Sequence, residues 1–175
     1  MKFIKNIVVL FFVLTITSCS YTEEFRTLKS GTFSLDMPDY LDKMEGITET
    51  TPHQFGNMFR NFYIIVEEIN KSDDPNLTIT KQQLSSVDFL TSPPTVNDFE
   101  ILESKGINQN GLSGTLLIAE AVVGDEAINE VILYRMLTLE NEEKMYHLVL
   151  WTWKKWEEKY QEVIPKILES FKAEA

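Results

Sequence analysis

The sequence is poor in the residues that most often carry catalytic chemistry. It has one cysteine, Cys19, and two histidines, His53 and His147, among 175 residues. A single cysteine excludes an intramolecular disulfide. Basic residues are also scarce, with 16 lysines and arginines against 27 aspartates and glutamates and a formal net charge of −11. Because binding to phosphates depends on clustered basic side chains, we expect no nucleic-acid partner.

The apolar run near the start of the chain is too short to span a membrane. Lys2 and Lys5 precede the run Ile7–Leu14, and Thr17 and Ser18 follow it. A membrane-spanning helix needs about 20 apolar residues. A positive flank, an apolar core and a small-residue exit are instead typical of a secretion signal.

The exit of this signal, Ile16-Thr17-Ser18-Cys19, resembles the lipobox of bacterial lipoproteins. The resemblance implies that residues 1–18 are removed and that Cys19 becomes an acylated N-terminus, with a thioether-linked diacylglycerol and an amide-linked acyl chain. Two or more acyl chains hold a protein stably at a membrane. We therefore expect an exported protein of the cell envelope, periplasmic or surface-facing and anchored by lipid. The alternative is a signal cleaved elsewhere, with Cys19 an ordinary small residue.

The mature chain has the size of one domain. Removal of residues 1–18 leaves 157 residues, enough to bury a core, and raises the net negative charge to −13 because the signal holds two lysines and no acids. Residues 19–30 are predicted to be the acylated cysteine and a polar tether, in which Phe25 and Leu28 contact the domain. Residues 31–175 are predicted to be a single α/β domain.

Alternating and helical patterns predict the elements of this domain. Phe33, Leu35 and Met37 alternate in a strand that ends at Pro38. Residues 39–56 read as loop. The further predicted strands cover residues 58–69, 99–107, 113–123, 128–139 and 144–153, and Asn110-Gly111 predicts a tight hairpin between the second and third of these.

Two helices are predicted. Thr80 and Gln83 form a capping-box pattern before Leu84, Val87 and Leu90, which recur at helical spacing. The second helix covers residues 154–172, where apolar residues fall at three- and four-residue intervals. Pro165 lies inside it, and we expect a kink or a restart there.

These features together resemble the PsbP-like fold. The residues that carry the resemblance are Phe33, Leu35, Met37, Pro38, Ile164, Ile167, Ser170 and Phe171. Many relatives have a tryptophan after the first proline, where this chain has Tyr40. The resemblance implies an α+β sandwich, with one mainly antiparallel sheet covered by a mid-chain helix and a C-terminal amphipathic helix. The family is functionally mixed and has no shared catalytic apparatus, which implies a non-enzymatic role.

Catalytic and metal-binding alternatives rest on few residues. His53 reads as a surface loop histidine and His147 as a hydrogen-bonded strand histidine, and neither belongs to a zinc-type motif. Gly111-Leu112-Ser113-Gly114-Thr115 approaches the nucleophile elbow of hydrolases but reads as a turn. The acidic stretches Asp73–Asn76 and Asp125-Glu126 could offer oxygens to Ca²⁺, yet they lack the ligand spacing of an EF-hand and read as solvated turns.

Aromatic residues and paired acids offer two further candidate sites. Trp151, Trp153 and Trp156 could stack a ligand, but the favoured interpretation is that they fill the core between the last strand and the last helix. Glu67 with Glu68, or Glu120 with Glu130, would need a defined separation to act as a glycosidase pair.

The function predicted from the sequence is therefore that of a membrane-anchored envelope lipoprotein. Its domain is expected to bind a protein partner or a small ligand as a non-enzymatic accessory module, without a cofactor. The alternatives are a hydrolase or metal-dependent enzyme that uses His53 or His147, and a purely structural envelope component.

Overall fold

A computed structural model describes residues 23–49, 51–91, 96–124 and 129–174. The predicted signal peptide, Cys19 and the acidic pair Asp125-Glu126 lie outside the described residues. The strands are β1 (Phe25–Lys29), β2 (Phe33–Pro38), β3 (Asp42–Lys43), β4 (His53–Asn57), β5 (Phe62–Asn70), β6 (Val96–Gln109), β7 (Leu112–Gly124), β8 (Asn129–Glu140), β9 (Lys144–Trp153) and β10 (Lys172–Ala173). The helices are α1 (Ile79–Thr91), α2 (Glu157–Tyr160) and α3 (Val163–Ser170), with a 3₁₀ turn at Lys154–Trp156 before α2.

The strands form two antiparallel sheets, where the sequence predicts one. A three-stranded sheet has the order β1-β2-β10, and a seven-stranded sheet has the order β3-β4-β5-β9-β8-β7-β6. The short strand β10 pairs with β2 through Lys172 opposite Ser34 and Ala173 opposite Phe33. Two residues carry no periodic signal, which is why this pairing is invisible in the sequence.

Strand β1 occupies part of the predicted tether. It pairs with β2 from Phe25 opposite Pro38 to Lys29 opposite Ser34. Phe25 and Leu28 pack against the core, as expected, but they do so from a strand. That strand is hidden in the sequence because its two apolar residues are three positions apart, which breaks the alternation that predicts a strand. Residues 25–29, predicted to be part of a tether, are therefore a strand.

The predicted loop 39–56 also contains strands. β3 pairs with β4, and β4 pairs with β5 across a hairpin. Gly56 reads as a loop residue, yet it lies within β4. A glycine suits this position because a Cβ would stand 2.5 Å from the ring of Tyr63 and from the sulfur of Met44. The strand predicted at 58–69 accordingly begins later, at Phe62, and the preceding residues form the hairpin turn.

Strands β6 to β9 follow the prediction closely. Asn110 and Gly111 form the β6–β7 turn, with φ of 49° and 80°. Such positive φ values suit asparagine and glycine, so the hairpin predicted from this pair is confirmed.

Both helical regions differ in detail from their predictions. The Thr78 hydroxyl accepts a hydrogen bond from the Lys81 amide at 3.2 Å, so Thr78 rather than Thr80 caps α1. The C-terminal helix is divided, with α2 ending at Tyr160 and α3 beginning at Val163. The restart predicted near Pro165 is confirmed. Proline is tolerated in the first turn of a helix, where its missing amide hydrogen would have had no helical partner.

The seven-stranded sheet has two differently covered faces. On the sealed face, Ile64, Val66 and Leu148 pack beneath α3 and the three-stranded sheet. On the open face, Tyr134 and Val149 belong to a smaller cluster on which Val87 and Leu90 of α1 pack. None of the helices in the described ranges is long and apolar enough to cross a membrane.

Candidate binding groove on the open face

The two histidines lie on opposite faces of the seven-stranded sheet. His53 pairs with Val66, which pairs with Leu148 of β9. His147 pairs with Glu67. Since paired residues share a face and neighbours along a strand alternate, His53 faces the sealed side and His147 the open side. The two imidazoles therefore cannot share a site.

His53 is a strand residue rather than the predicted surface loop residue. It lies in β4, half-buried, with its ring centroid 5.1 Å from that of Phe33 in an edge-to-face contact. Burial lowers the pKa of His53. It packs at the edge of the core. The described part of the chain contains no group of three or more histidine, cysteine, aspartate or glutamate side chains that could hold a metal ion.

His147 is buried and hydrogen-bonded at both ring nitrogens. Nδ1 lies 2.8 Å from Oγ1 of Thr138, and Nε2 lies 2.7 Å from Oγ of Ser86. The Ser86 hydroxyl donates to the carbonyl of Gln82 at 2.9 Å, which leaves it to accept from Nε2–H while Thr138 donates to Nδ1. Burial lowers the pKa of His147 to about 4. The prediction of a hydrogen-bonded strand histidine is confirmed, and the imidazole is neutral near pH 7.

Polar contacts attach α1 to the open face. Besides the Ser86–His147 contact, Nε2 of Gln82 donates to a Glu67 carboxylate oxygen at 3.0 Å. The buried residues of α1 are Gln82 and Gln83, whereas Leu84 is 57% exposed. The prediction from helical spacing that Leu84 packs toward the sheet is therefore wrong. Val87 and Leu90 do pack toward the sheet, as predicted.

A groove of about 1060 Å³ lies between α1, the segment 46–49 and the open face. We call it the α1 groove. Its lining residues are Gly46, Ile47, Thr48, Glu49, Ile65, Glu67, Gln82, Ser85, Ser86, Phe89, Leu90, Val96, Val123, Ile132, Tyr134, His147, Val149 and Trp151.

One rim of the groove is held in place by the buried side chain of Gln54. Its carbonyl oxygen accepts from the amides of Ile47 and Thr48 at 2.8 and 3.1 Å. Its amide group donates to the carbonyls of Thr48 and Thr51 at 2.7 and 2.6 Å. All the polar atoms of this side chain are thus used to fix the backbone of the rim, which is a preformed wall.

An aromatic wall forms another side of the groove. Trp151 stacks on Tyr63 with centroids 5.2 Å apart and an interplanar angle of 16°, and it lies 6.4 Å from Tyr134.

The prediction that the tryptophans fill the core is met only by Trp151, which packs against the smaller cluster. Trp153 is half-buried, with the Lys155 amine 4.8 Å from its ring. Trp151 lines the groove, and Trp156 is 38% exposed with the Lys159 amine 5.3 Å from its ring.

The electrostatics of the groove disfavour anions. Among the described residues that line it, the charged side chains are the carboxylates of Glu49 and Glu67. His147 is neutral, and burial raises the pKa of Tyr134 to about 12, so its hydroxyl is neutral too. A ligand with a neutral or cationic polar end fits this lining, whereas a buried anion would lack a compensating charge.

Ser86, His147 and Thr138 are spaced like part of a hydrolase triad, but their chemistry differs. A triad histidine is oriented by a carboxylate, and here a threonine hydroxyl stands in that place. An imidazole with a pKa near 4 is a weak general base at pH 7. Ser86 also lies within a helix, with its hydroxyl hydrogen directed to Gln82.

The other sequence candidates lie apart from the groove. Gly111 lies in the β6–β7 turn, but the rest of the elbow-like stretch begins β7. The prediction of a turn is therefore wrong for Ser113, which is a strand residue and lacks the strand–turn–helix context of a nucleophile elbow. Asp73 and Asp74 lie in an exposed turn, where the Asp74 carboxylate accepts from the Asn76 amide at 3.0 Å.

The paired acids are not paired in space. Glu67 and Glu68 are neighbours on one strand and face opposite sides of the sheet. Glu120 pairs with Lys154 at 2.5 Å and Glu130 with Lys155 at 2.7 Å. Each of the latter carboxylates therefore has a cationic partner instead of a second acid.

Comparison with known proteins supports the fold. No protein-family model matches the sequence, and no curated protein matches it. The structure is similar to that of cyanobacterial PsbP (CyanoP) from Synechocystis sp. PCC 6803, with a TM-score of 0.63, 13% identity, and coverage of 92% of this chain and 99% of that one. It is also similar to the Ran-binding protein Mog1p of Saccharomyces cerevisiae, with a TM-score of 0.54, 15% identity, and coverage of 86% and 95%. The chain thus has a PsbP-like fold.

Proposed function

We propose that this protein is an envelope lipoprotein, anchored by acyl chains on Cys19, whose domain binds an amphipathic molecule in the α1 groove. The lipobox-like end of the signal supports the anchor. The groove carries the binding role, because it combines a preformed rim, an apolar aromatic wall and a few polar groups at one end. This is the usual composition of small-molecule sites.

The lining defines the class of ligand. The apolar part of the ligand lies along Trp151, Tyr134 and Val149, and its polar end lies near Glu67 and Gln82. The polar end is uncharged or cationic, because two carboxylates line the groove and the described lining offers no basic side chain. The domain thereby serves as a carrier or sensor of such molecules and performs no covalent chemistry on them.

The anchor is tested by mass and by fractionation. The mature protein is expected to begin at Cys19 and to carry the mass of its fatty acids. Cys19→Ala should move the protein from the membrane to the soluble fraction, because the acyl chains provide the attachment. A mature N-terminus at another residue, without fatty acid, would refute the anchor.

The groove is tested with two fluorescent probes that differ by one charge. N-phenylnaphthylamine is neutral, and anilinonaphthalene sulfonate is the same ring system with an anionic group. We expect the neutral probe to bind at least about tenfold more tightly than the anionic probe, because the sulfonate would approach the carboxylates of Glu49 and Glu67. Glu67→Gln should narrow the difference. Equal affinity of the two probes would contradict the assigned ligand class.

A matched pair of variants locates the probe. Phe89 and Leu84 lie on the same helix and are similarly exposed, at 53% and 57%, but Phe89 lines the groove and Leu84 does not. Phe89→Asp should weaken the neutral probe about tenfold, since one large apolar contact is replaced by a charge. Leu84→Asp should leave its affinity unchanged. Equal effects of the two variants would place the probe elsewhere.

A second candidate function follows from the spacing of Ser86, His147 and Thr138. If the hydroxyl of Ser86 donates to His147 instead of Gln82, the pair becomes a nucleophile and base beside an apolar groove. This hydrolase alternative predicts turnover of p-nitrophenyl butyrate that Ser86→Ala abolishes. The binding proposal predicts a rate equal to background for the native chain and for this variant.

A further inference from the structure

The turn that joins β4 and β5 exposes two large apolar side chains. Met58 is 70% exposed and Phe59 is 97% exposed. They occupy the centre of the turn Asn57–Arg60, where polar residues, glycine or proline are the rule. We call this turn and its two side chains the apolar tip.

The apolar tip is a fixed structure. The Arg60 amide donates to the Asn57 backbone carbonyl at 3.1 Å and to the Asn57 side-chain oxygen at 3.1 Å. The Asn57 side-chain amide donates to the carbonyl of Tyr40 at 2.9 Å, and Asn61 ends the turn with a φ of 48°. The two apolar side chains are therefore held out from the domain by a turn that has no need of them for its own hydrogen bonds.

The start of the described chain lies against this tip. A carboxylate oxygen of Glu23 is 3.0 Å from a guanidinium nitrogen of Arg60, and both side chains are mostly shielded from solvent. The guanidinium lies 3.9 Å above the ring of Tyr40. The carbonyl of Glu24 accepts from the Asp39 amide at 3.0 Å, which fixes the backbone beside the tip.

Covalent geometry limits how far Cys19 lies from the tip. Four residue steps separate Cys19 from Glu23, and a fully extended chain spans at most about 14 Å over that length. Acyl chains on Cys19 therefore bring the bilayer surface close to the apolar tip. We propose that Met58 and Phe59 insert into the bilayer interface and, with the acyl chains, fix the orientation of the domain on the membrane. This proposal rests on the proposed acylation of Cys19.

An element that contacts the turn carries residues typical of a membrane interface. The Tyr160 hydroxyl donates to the carbonyl of Arg60 at 2.9 Å, and Trp156 lies one turn earlier with the amine of Lys159 near its ring. Aromatic residues and lysines are enriched at the membrane–water interface, where the ring is buried and the amine reaches water. The contact is apolar in nature, because the chain as a whole is acidic, so phosphatidylcholine without anionic lipid is a sufficient surface.

The test uses thiol labelling of the acylated full chain on phosphatidylcholine vesicles. Cys19 is the chain's one cysteine, and acylation blocks its sulfur, so an introduced cysteine is the reactive thiol. A polarity-sensitive dye is attached in Met58→Cys and, as a matched control, in Glu142→Cys. Glu142 is exposed in the β8–β9 turn, at the other end of β5 and about 27 Å away along that strand.

The expected result is that an aqueous quencher reaches the dye at position 58 several-fold less than the dye at position 142. Adding Phe59→Asp to Met58→Cys should remove most of that protection. Equal quenching at the two positions of acylated protein would overturn the proposed insertion of the apolar tip into the bilayer, while the proposed acylation of Cys19 would stand. A mass that shows no fatty acid on Cys19 would overturn the anchor and the proposal that rests on it. The same quenching is measured for the Cys19→Ala protein without vesicles. If the dye at position 58 is protected from the quencher there, another protein surface covers the apolar tip, and the proposed membrane contact is overturned.

Discussion

The two faces of the seven-stranded sheet are built from the same strands but are covered by different chemistry. On the sealed face, α3 buries four apolar side chains, Val163, Ile164, Ile167 and Leu168. On the open face, α1 buries two glutamines. The first cover is a packed hydrophobic interface. The second combines a few hydrogen bonds with the half-buried side chains of Val87 and Leu90.

This difference explains why a groove exists on one side. Fully burying an aliphatic side chain contributes about 1.5–3 kcal/mol, whereas one hydrogen bond contributes about 0.5–1.5 kcal/mol net. A helix held by the Gln82–Glu67 and Ser86–His147 contacts can stand away from the sheet and leave apolar surface beneath it. The sealed face carries most of the apolar packing of the fold, and the open face leaves the surface on which we propose that a ligand binds.

The largest expected effect separates the two covers by stability. Ile167 of α3 is fully buried against the sealed face, so Ile167→Ala should lower the free energy of unfolding by about 2–5 kcal/mol. Phe89→Ala on α1 should lower it by less than about 1 kcal/mol, because half of that ring is already in water. Urea denaturation measures both. Similar losses would mean that α1 is packed as firmly as α3.

The buried His147 should make the protein less stable at acidic pH. The pKa of His147 is about 4 in the folded protein against 6.5 ordinarily, so the unfolded chain takes up this proton at higher pH than the folded one. The contribution of the neutral imidazole to stability is complete above pH 6.5 and is lost as the pH falls toward 4, by about 2–3 kcal/mol. His147→Gln should lack this loss. Comparing urea midpoints of the two proteins from pH 7 to pH 4 isolates it from carboxylate titration, and parallel curves would contradict it.

A smaller effect is expected from the hydroxyl that bridges the sheet and α1. Ser86→Ala leaves Nε2 of the buried His147 without its partner and should cost about 1–3 kcal/mol. The adjacent Ser85→Ala is the control, since Ser85 is exposed and lies on the same helix. Alanine has a higher helix propensity than serine, so propensity alone should not destabilise either variant. A loss in Ser85→Ala as large as that in Ser86→Ala would contradict the role of the Ser86–His147 hydrogen bond.

The smallest effect is predicted for Leu84. Because this side chain points away from the sheet, Leu84→Asp should change the free energy of unfolding by less than about 0.5 kcal/mol. A loss above about 2 kcal/mol in thermal or urea denaturation would mean that Leu84 is buried against the sheet, as helical spacing predicts.

The sequence predicts the sealed face better than the open one, for a physical reason. Alternation in β2 and the apolar stripe of α3 reflect burial directly, and both elements lie within the predicted ranges. The sequence does not reveal β1 and β10, which flank β2, or the division of the C-terminal helix. On the open face, burial is shared between apolar and polar groups, so periodicity misplaces Leu84. It also gives no hint of the buried Gln82 and Gln83.

The residues of the candidate site carry no pattern in the sequence. Ser86 and His147 are 61 positions apart, and their contact depends on how α1 lies across β9. Gln54, which builds the rim, lies in a stretch that reads as loop. The pairing of strands and the placement of α1 bring these side chains together, and no local pattern in the sequence reveals either.

The central claim is that the open face binds a ligand beneath a weakly held α1, and hydrogen exchange tests it most directly. Amide exchange is followed in the full chain with and without saturating N-phenylnaphthylamine. Without the probe, the amides of α1 are expected to exchange faster than those of α3, and the probe should slow exchange in α1 and in the rim at 46–49 while leaving α3 unchanged. Slow exchange in α1 without the probe, or protection that falls on α3, would contradict the account.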